Sequence, residues 1–191
     1  MKKFVRSVLE LLEQLIITLF VVALIFTYII KNVSVVGDSM RNSLMDGDKV
    51  IINMLDKEFQ RGEIIVAFPE KAVTLNDKGG LSFAEGPDKV IIKRVIAAEG
   101  QTVDIDFATG AVEVDGERLY ENYLELGLTH YDGGAFTDKY PITVPEGYVF
   151  VMGDNRSVSL DSRDEKIGFV AEKDIMGTVV LRYYPEFEVY S

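Results

Sequence analysis

The sequence predicts a mainly β, antiparallel domain preceded by one N-terminal transmembrane helix. Three observations lead there. The only long uncharged apolar run lies near the N-terminus, from Gln14 to Ile30. Beyond it, hydrophobicity changes to a period of two in short β-branched runs. Gly, Asp, Asn and Pro separate those runs, with short connections that suit neighbouring antiparallel strands.

The apolar run reads QLIITLFVVALIFTYII. As a helix it rises roughly 26 Å. The hydrocarbon core of a bilayer is about 30 Å thick, and Leu11, Leu12 and Val33 can extend the span. Tyr28 and Lys31 suit the far interface. A cleavable signal would have a shorter apolar region and a small-residue cleavage site, whereas this run ends in YIIKNVSVV. A helix buried in a protein core would show a polar face, and none is present. Lys2, Lys3 and Arg6 place the N-terminus in the cytoplasm by the positive-inside rule, a bias that Glu10 and Lys31 weaken. The expected organisation is a cytoplasmic segment at 1–12, a transmembrane anchor at 13–31 and an extracytoplasmic β-rich domain at 32–191.

The strand candidates follow in order as DKVIINML, GEIIVAF, KVIIKRVIAA, TVDIDFATGAVEVDGERL, YPITVPEGYVFVMGDN and IMGTVVLRYYP. ATGA and VDGE read as hairpin turns. The polar stretches 71–88 and 121–139 read as surface loops or excursions.

The 191 residues include 48% hydrophobic and 27% charged side chains, enough for one packed domain and an anchor. Net charge is −11; residues 1–31 carry +2, so the body carries −13. An acidic body argues against a nucleic-acid partner and against tight docking on anionic lipid. Its plainest consequence is solubility. The chain has no cysteine, which excludes a thiol nucleophile, a cysteine metal site and disulfides.

Three stretches carry candidate chemistry. In VVGDSMRNSL, Ser39 follows closely on the anchor, with Gly37 before it and Met40 after it. A serine nucleophile needs a proton acceptor. The single histidine, His130, lies in a Gly-rich loop near Asp132 and reads as solvated; neither a triad nor a zinc set is indicated. In DKVIIKRVIAAEG, strand alternation puts Lys93 and Arg94 on opposite faces of an otherwise apolar strand. Arg94 keeps its proton and needs a carboxylate. Lys93 has two readings. It snorkels at a sheet edge, or burial lowers its pKa until the amine serves as a base. A shift from ~10.4 to ~7 costs roughly 4–5 kcal/mol at about 1.36 kcal/mol per unit. In VFVMGDNRSVSLDSRDEKIGF, a strand runs into Gly153 and Asp154, then reaches Ser159, Asp161, Ser162 and Arg163. That pattern is either a charged surface turn or a rigid polar loop that positions reacting groups.

In this order behind an anchor, GDSMRNSL, IIKRVIAAEG and MGDNRSVSLDSR resemble the nucleophile, lysine and Gly-Asp-Asn-Arg boxes of the type I signal peptidases (leader peptidases). GEIIVAF and GFVAEKDIMGTVVLRYYP are also similar to family segments. The single anchor resembles the Gram-positive form. The resemblance implies a partly closed β-barrel catalytic core with a small, variable β insertion, so that 71–88 and 121–139 become variable excursions. It implies a Ser–Lys dyad with Ser39 as nucleophile and Lys93 as general base. Ser159 would orient the amine by a hydrogen bond. Asp161 and Arg163 would form a supporting pair, with Asp154 and Arg94 as structural partners. Met40 would help line the site. The oxyanion would take the Ser39 N–H, with Gly37 letting the chain approach closely.

The same resemblance implies no cofactor and no metal. Its partners would be secretory preproteins bearing signal peptides, met at the plasma membrane; the sequence carries no signal for oligomeric state. Two departures stand out. Where the family often has Ser-Met-x-Pro-Thr-Leu, this chain has Asn42 and Ser43 in place of proline and threonine, and Ala98-Glu99-Gly100-Gln101 replaces Leu-Pro-Gly-Asp. Two other classes share parts of this pattern. One is a catalytically silent, membrane-anchored β module binding peptides or secretion machinery. The other is a self-cleaving Ser–Lys regulator, which lacks the DNA-reading segment it would need.

Overall fold

The computed structural model describes residues 2–124, 129 and 133–190. Helix α1, Lys2–Tyr28, leaves nearly all of its apolar side chains exposed, with Ile25 half-buried. Among the described residues it is the one helix long and apolar enough to cross a membrane.

Among the described residues, the regular structure that follows is strand apart from one short 3-10 turn. In chain order these are β1 (Ile30–Ser34), β2 (Lys49–Asn53), β3 (Ile64–Ala67), β4 (Lys71–Leu75), β5 (Leu81–Glu85), β6 (Ile91–Ala97) and β7 (Thr102–Asp106). There follow β8 (Ala111–Val114), β9 (Glu117–Arg118), β10 (Ile142–Thr143), β11 (Tyr148–Met152), β12 (Val170–Ala171), β13 (Ile175–Tyr184) and β14 (Glu188–Val189). The main sheet is antiparallel, ordered β1-β2-β13-β3-β6-β11-β12, with β14 paired to β13. A second sheet, β10-β7-β8-β9, extends the core.

Burial follows from position in these sheets. β8 alternates half-buried and buried residues because only one of its faces is covered. All four residues of β3 are buried, because Ile65 and Ala67 enter one core cluster while Ile64 and Val66 enter another. That puts β3 centrally, between β13 and β6. In β6 a register shift against β11 near Ile96 bends the strand beyond the two cations.

Both polar stretches differ from surface loops. The first is the β4–β5 hairpin, and Ala72 and Val73 are buried; Phe169 N donates to the Val73 carbonyl at 2.7 Å. Ala72 and Val73 are consecutive, so the strand buries a side chain on each of its faces at that point. In the second, Ala135 and Phe136 enter the core, and the Phe136 ring lies 4.7 Å from that of Phe169. His130 and Asp132 lie outside the described residues.

Phe136→Ala should therefore lower stability by about 3–5 kcal/mol. Urea unfolding of the detergent-solubilised protein checks this, with Tyr120→Ala, at an exposed ring, expected within about 0.5 kcal/mol of the parent.

Candidate active site

After β1 the chain reverses through a tight turn. Gly37 has φ +87°, a backbone conformation open to glycine, and its N–H donates to Asp46 Oδ1 at 2.7 Å. A Cβ there would meet no protein atom within 4 Å, and the dihedral is what demands glycine within the fold. Ser43 N and Leu44 N both donate to the Met40 carbonyl, closing a helical turn. Met40 and Leu44 are buried beneath it, against Val50, Ile52, Ile64 and Val66. Ser39 is left half-buried above that apolar floor.

Lys93 comes from β6, opposite Ile65 of β3. It is 3% exposed, and Nζ donates to Ser39 Oγ at 2.7 Å and to the Ile92 carbonyl at 2.8 Å. Burial pushes the amine from 10.5 down to about 8, and Lys89 adds to that. The negative charges of Asp161 and Asp154 oppose the shift. The apolar strand thus places its lysine inside, against the serine, and not at a snorkelling edge.

The loop after β11 is the rigid support for this pair. Arg163 donates to both oxygens of Asp161, Nε at 2.9 Å and Nη2 at 2.8 Å, with both side chains fully buried. Burial would raise the Asp161 pKa, but the Arg163 charge and the hydrogen bonds hold it below the usual carboxylate value. Asp161 Oδ2 also accepts from Gly153 N at 2.9 Å, and Arg163 Nη2 donates to the Arg156 carbonyl. Ser162 exchanges two hydrogen bonds with Val151, through its backbone N and its hydroxyl. The loop then grips the serine turn: Asn155 N donates to the Ser39 carbonyl at 3.0 Å. Gly153 makes this possible, because a Cβ there would stand 2.4 Å from the Ser39 carbonyl oxygen and 2.2 Å from Ser159 Oγ.

Ser159 is buried beside these groups, but its expected hydrogen bond to Lys93 is not formed. The amine is aligned on Ser39 and the Ile92 carbonyl instead, while the Ser159 hydroxyl lies near the Asp161 carboxylate and helps to hold its pKa down.

Arg94, on the other side of β6, forks onto Asp154 at 2.9 and 2.6 Å. Its pairing with Asp154 outweighs burial and raises its pKa. Ser43 Oγ donates to Asp154 Oδ2 and accepts from Arg94 Nη2, so the hydroxyl at the family's threonine position joins the pair. Asn42, at the proline position, has φ +91°, which a proline ring cannot adopt. Its Nδ2 donates to the Tyr123 carbonyl at 3.3 Å, and the Tyr123 ring lies 4.1 Å from the Arg94 guanidinium. Arg156 pairs with Glu121 and Thr129. Sequence reasoning missed Tyr123, Glu121 and Ser43 as site partners; only the odd Arg-Asn-Ser-Leu run pointed to this neighbourhood.

A cleft of about 650 Å³ opens on the pair between residues 33–41 and 89–93, with Asn155, Val158 and Leu160 on its rim. Met40 is among its lining residues. Among the described residues, no three His, Cys, Asp or Glu side chains converge as a metal set.

An antiparallel β enzyme with a serine hydroxyl held by a buried amine has the make-up of a serine peptidase. A family model described as "Signal peptidase, peptidase S26" matches residues 8–184, and the chain belongs to that family of serine peptidases, which remove signal peptides. It is 33% identical over 187 residues to signal peptidase I S of Bacillus subtilis, covering 94% of this chain and 91% of that one. It is 36% identical over 154 residues to the probable signal peptidase I-1 of Synechocystis, covering 78% of this chain and 68% of the relative. A crystal structure of a signal peptidase I from Enterococcus faecalis matches with TM-score 0.44 at 29% identity, over 63% of this chain and 96% of that one.

Two outcomes are expected from this geometry. Below about pH 8 the native state buries a charged amine that the unfolded chain leaves in water. The unfolded chain binds more protons between about 8 and 10.5, so the Lys93 contribution to stability rises with pH through that window. Lys93→Met should remove this rise and stabilise the protein at pH 7 by up to roughly 3 kcal/mol, as read by denaturant titration at pH 7 and pH 10. Asn42→Pro should destabilise by about 3 kcal/mol or more, and Asn42→Gly should change little; thermal unfolding of the two variants separates them.

Proposed function

We propose that Ser39 is the nucleophile and Lys93 its general base. The observation that carries this is the 2.7 Å contact between Lys93 Nζ and Ser39 Oγ, with the amine buried and its pKa lowered to about 8. At neutral pH about one amine in ten is unprotonated, and that form accepts the serine proton. Ser39 attacks the scissile carbonyl, the Ser39 N–H stabilises the oxyanion, and Lys93 returns its proton to the leaving amine. Lys93 then draws a proton from water, which releases the acyl group and regenerates the serine.

The substrate in this reading is a secreted preprotein still carrying its signal peptide. It lies extended in the cleft, adding a strand beside the open edge of β1. Shallow walls formed by residues such as Val33, Val35 and Ile92 admit small side chains before the cut. The anchor places residues 1–12 in the cytoplasm and residues 32–191 outside the plasma membrane. Ser39 is separated from α1 by β1 and one turn; at about 3.4 Å per residue the strand spans roughly 17 Å, so cleavage occurs close to the bilayer. Confinement to that surface raises the effective concentration of membrane-tethered substrate.

Ser39→Ala in detergent-solubilised protein should abolish preprotein cleavage, whereas a parent-like rate would exclude Ser39 as nucleophile. In the parent enzyme, kcat/KM should rise with pH to a plateau, with its acid limb near pH 8 because only the neutral amine accepts a proton. Lys93→Arg should lose activity along with that limb; retention of both would exclude Lys93 as base.

A further inference from the structure

Among the described residues, and besides the Lys93 contact, the turn from Ser39 to Leu44 is held from outside at four points. Three involve groups already described: Asn155 N on the Ser39 carbonyl, the Tyr123 carbonyl on Asn42 Nδ2, and Asp154 with Arg94 on the Ser43 hydroxyl. The fourth comes from the C-terminal strand pair. Tyr190 Oη donates to the Ser43 carbonyl at 2.7 Å, and Arg182 Nη1 donates to the same oxygen at 3.2 Å. This carbonyl lies at the end of an irregular turn, where side chains must supply the donors that a continued helix would have provided.

The clamp is itself braced. Tyr190 N donates to the Val180 carbonyl at 2.9 Å, fixing the ring beside β13. Arg182 reaches Asp48 Oδ2 at 3.2 Å, and that carboxylate oxygen also accepts from Met45 N at 2.9 Å, just past the turn. Glu188 Oε2 competes for the Tyr190 proton at 2.9 Å, but it already receives Arg182 Nη2 at 2.6 Å, and the Ser43 carbonyl is the nearer acceptor. The turn also lacks proline, and its fourth residue, Asn42, sits at positive φ, so its backbone needs restraint from elsewhere.

We propose that Tyr190 is a positioning residue for Ser39: its hydroxyl fixes the Ser43 carbonyl and thereby the angle at which the serine turn presents Oγ to Lys93. This rests on Ser39 being the nucleophile. Tyr190 neither lines the cleft nor bonds the Lys93 amine, so its effect falls on the chemical step and not on the cleft.

Tyr190→Phe keeps the ring and removes the donor. In the full-length, detergent-solubilised enzyme acting on a preprotein, kcat should fall about tenfold, the size of effect one lost hydrogen bond can exert on a rate. KM should stay within about twofold, and near-ultraviolet circular dichroism should match the parent at the assay temperature. Arg182→Gln should cost less, because Tyr190 remains. The double variant should lose more than the product of the two single losses, because the carbonyl then has no donor. A Tyr190→Phe enzyme with kcat within twofold of the parent, or a loss matched by an equal loss of folded protein, overturns the proposal. So does a double variant whose losses simply multiply. Activity in Ser39→Ala would instead overturn the nucleophile assignment beneath it, and the two failures are told apart by that one variant.

Discussion

An arginine and an aspartate sealed completely from water, Arg163 and Asp161, are the interaction on which the rest of the site depends. Two charges at that depth are tolerated only when every donor and acceptor is met, and removing one partner of such a pair costs about 3–5 kcal/mol. Here the demand is met by forked hydrogen bonds, by Gly153 N on the carboxylate and by the Arg156 carbonyl on the guanidinium. The loop from Gly153 to Arg163 therefore has little freedom, although it contains neither helix nor sheet. Its rigidity passes directly to Ser39 through Asn155 N and through the bare Cα of Gly153.

The same pair takes part in setting the lysine. Desolvation drives the Lys93 pKa down, and the Asp161 charge restrains the fall so that it stops at about 8. Without that restraint the amine would be a weaker base; without burial it would remain protonated. Adjacent Arg94 faces the same low-polarity strand with a group that cannot shed its proton, so it takes Asp154 as a permanent partner. One strand thus carries two cations with different fates, decided by acid strength and by which carboxylate each can reach.

The excursions do more than decorate the domain. The β4–β5 hairpin joins the backbone of the 167–169 segment, and the later excursion inserts Phe136 into the core. Before it does so, it lays Glu121 on Arg156 and Tyr123 on Arg94. Both arginines are therefore held from two sides, by the main sheet and its loop and by a segment distant in sequence. One stretch that departs from the family pattern, Asn42-Ser43, lies where these contacts converge.

By itself the sequence determined the long apolar N-terminal helix, the antiparallel β class and the residue types capable of the chemistry. A run of uncharged residues and a period of two are local properties, and the absence of cysteine with only one histidine narrows the chemistry without any coordinates. The three boxes also singled out Ser39, Lys93 and the Asp161–Arg163 region. Tertiary structure alone decided that Lys93 points inward and meets Ser39 at 2.7 Å, because alternation assigns faces of a strand but not what lies across from them. It also decided that the close approach is at Gly153 and the positive dihedral at Gly37, that the Ser159 hydroxyl is not aligned on the lysine, and that Tyr123 and Tyr190 brace the serine turn. Those contacts join residues far apart in the chain, and polar loops have no periodicity from which such pairings could be read.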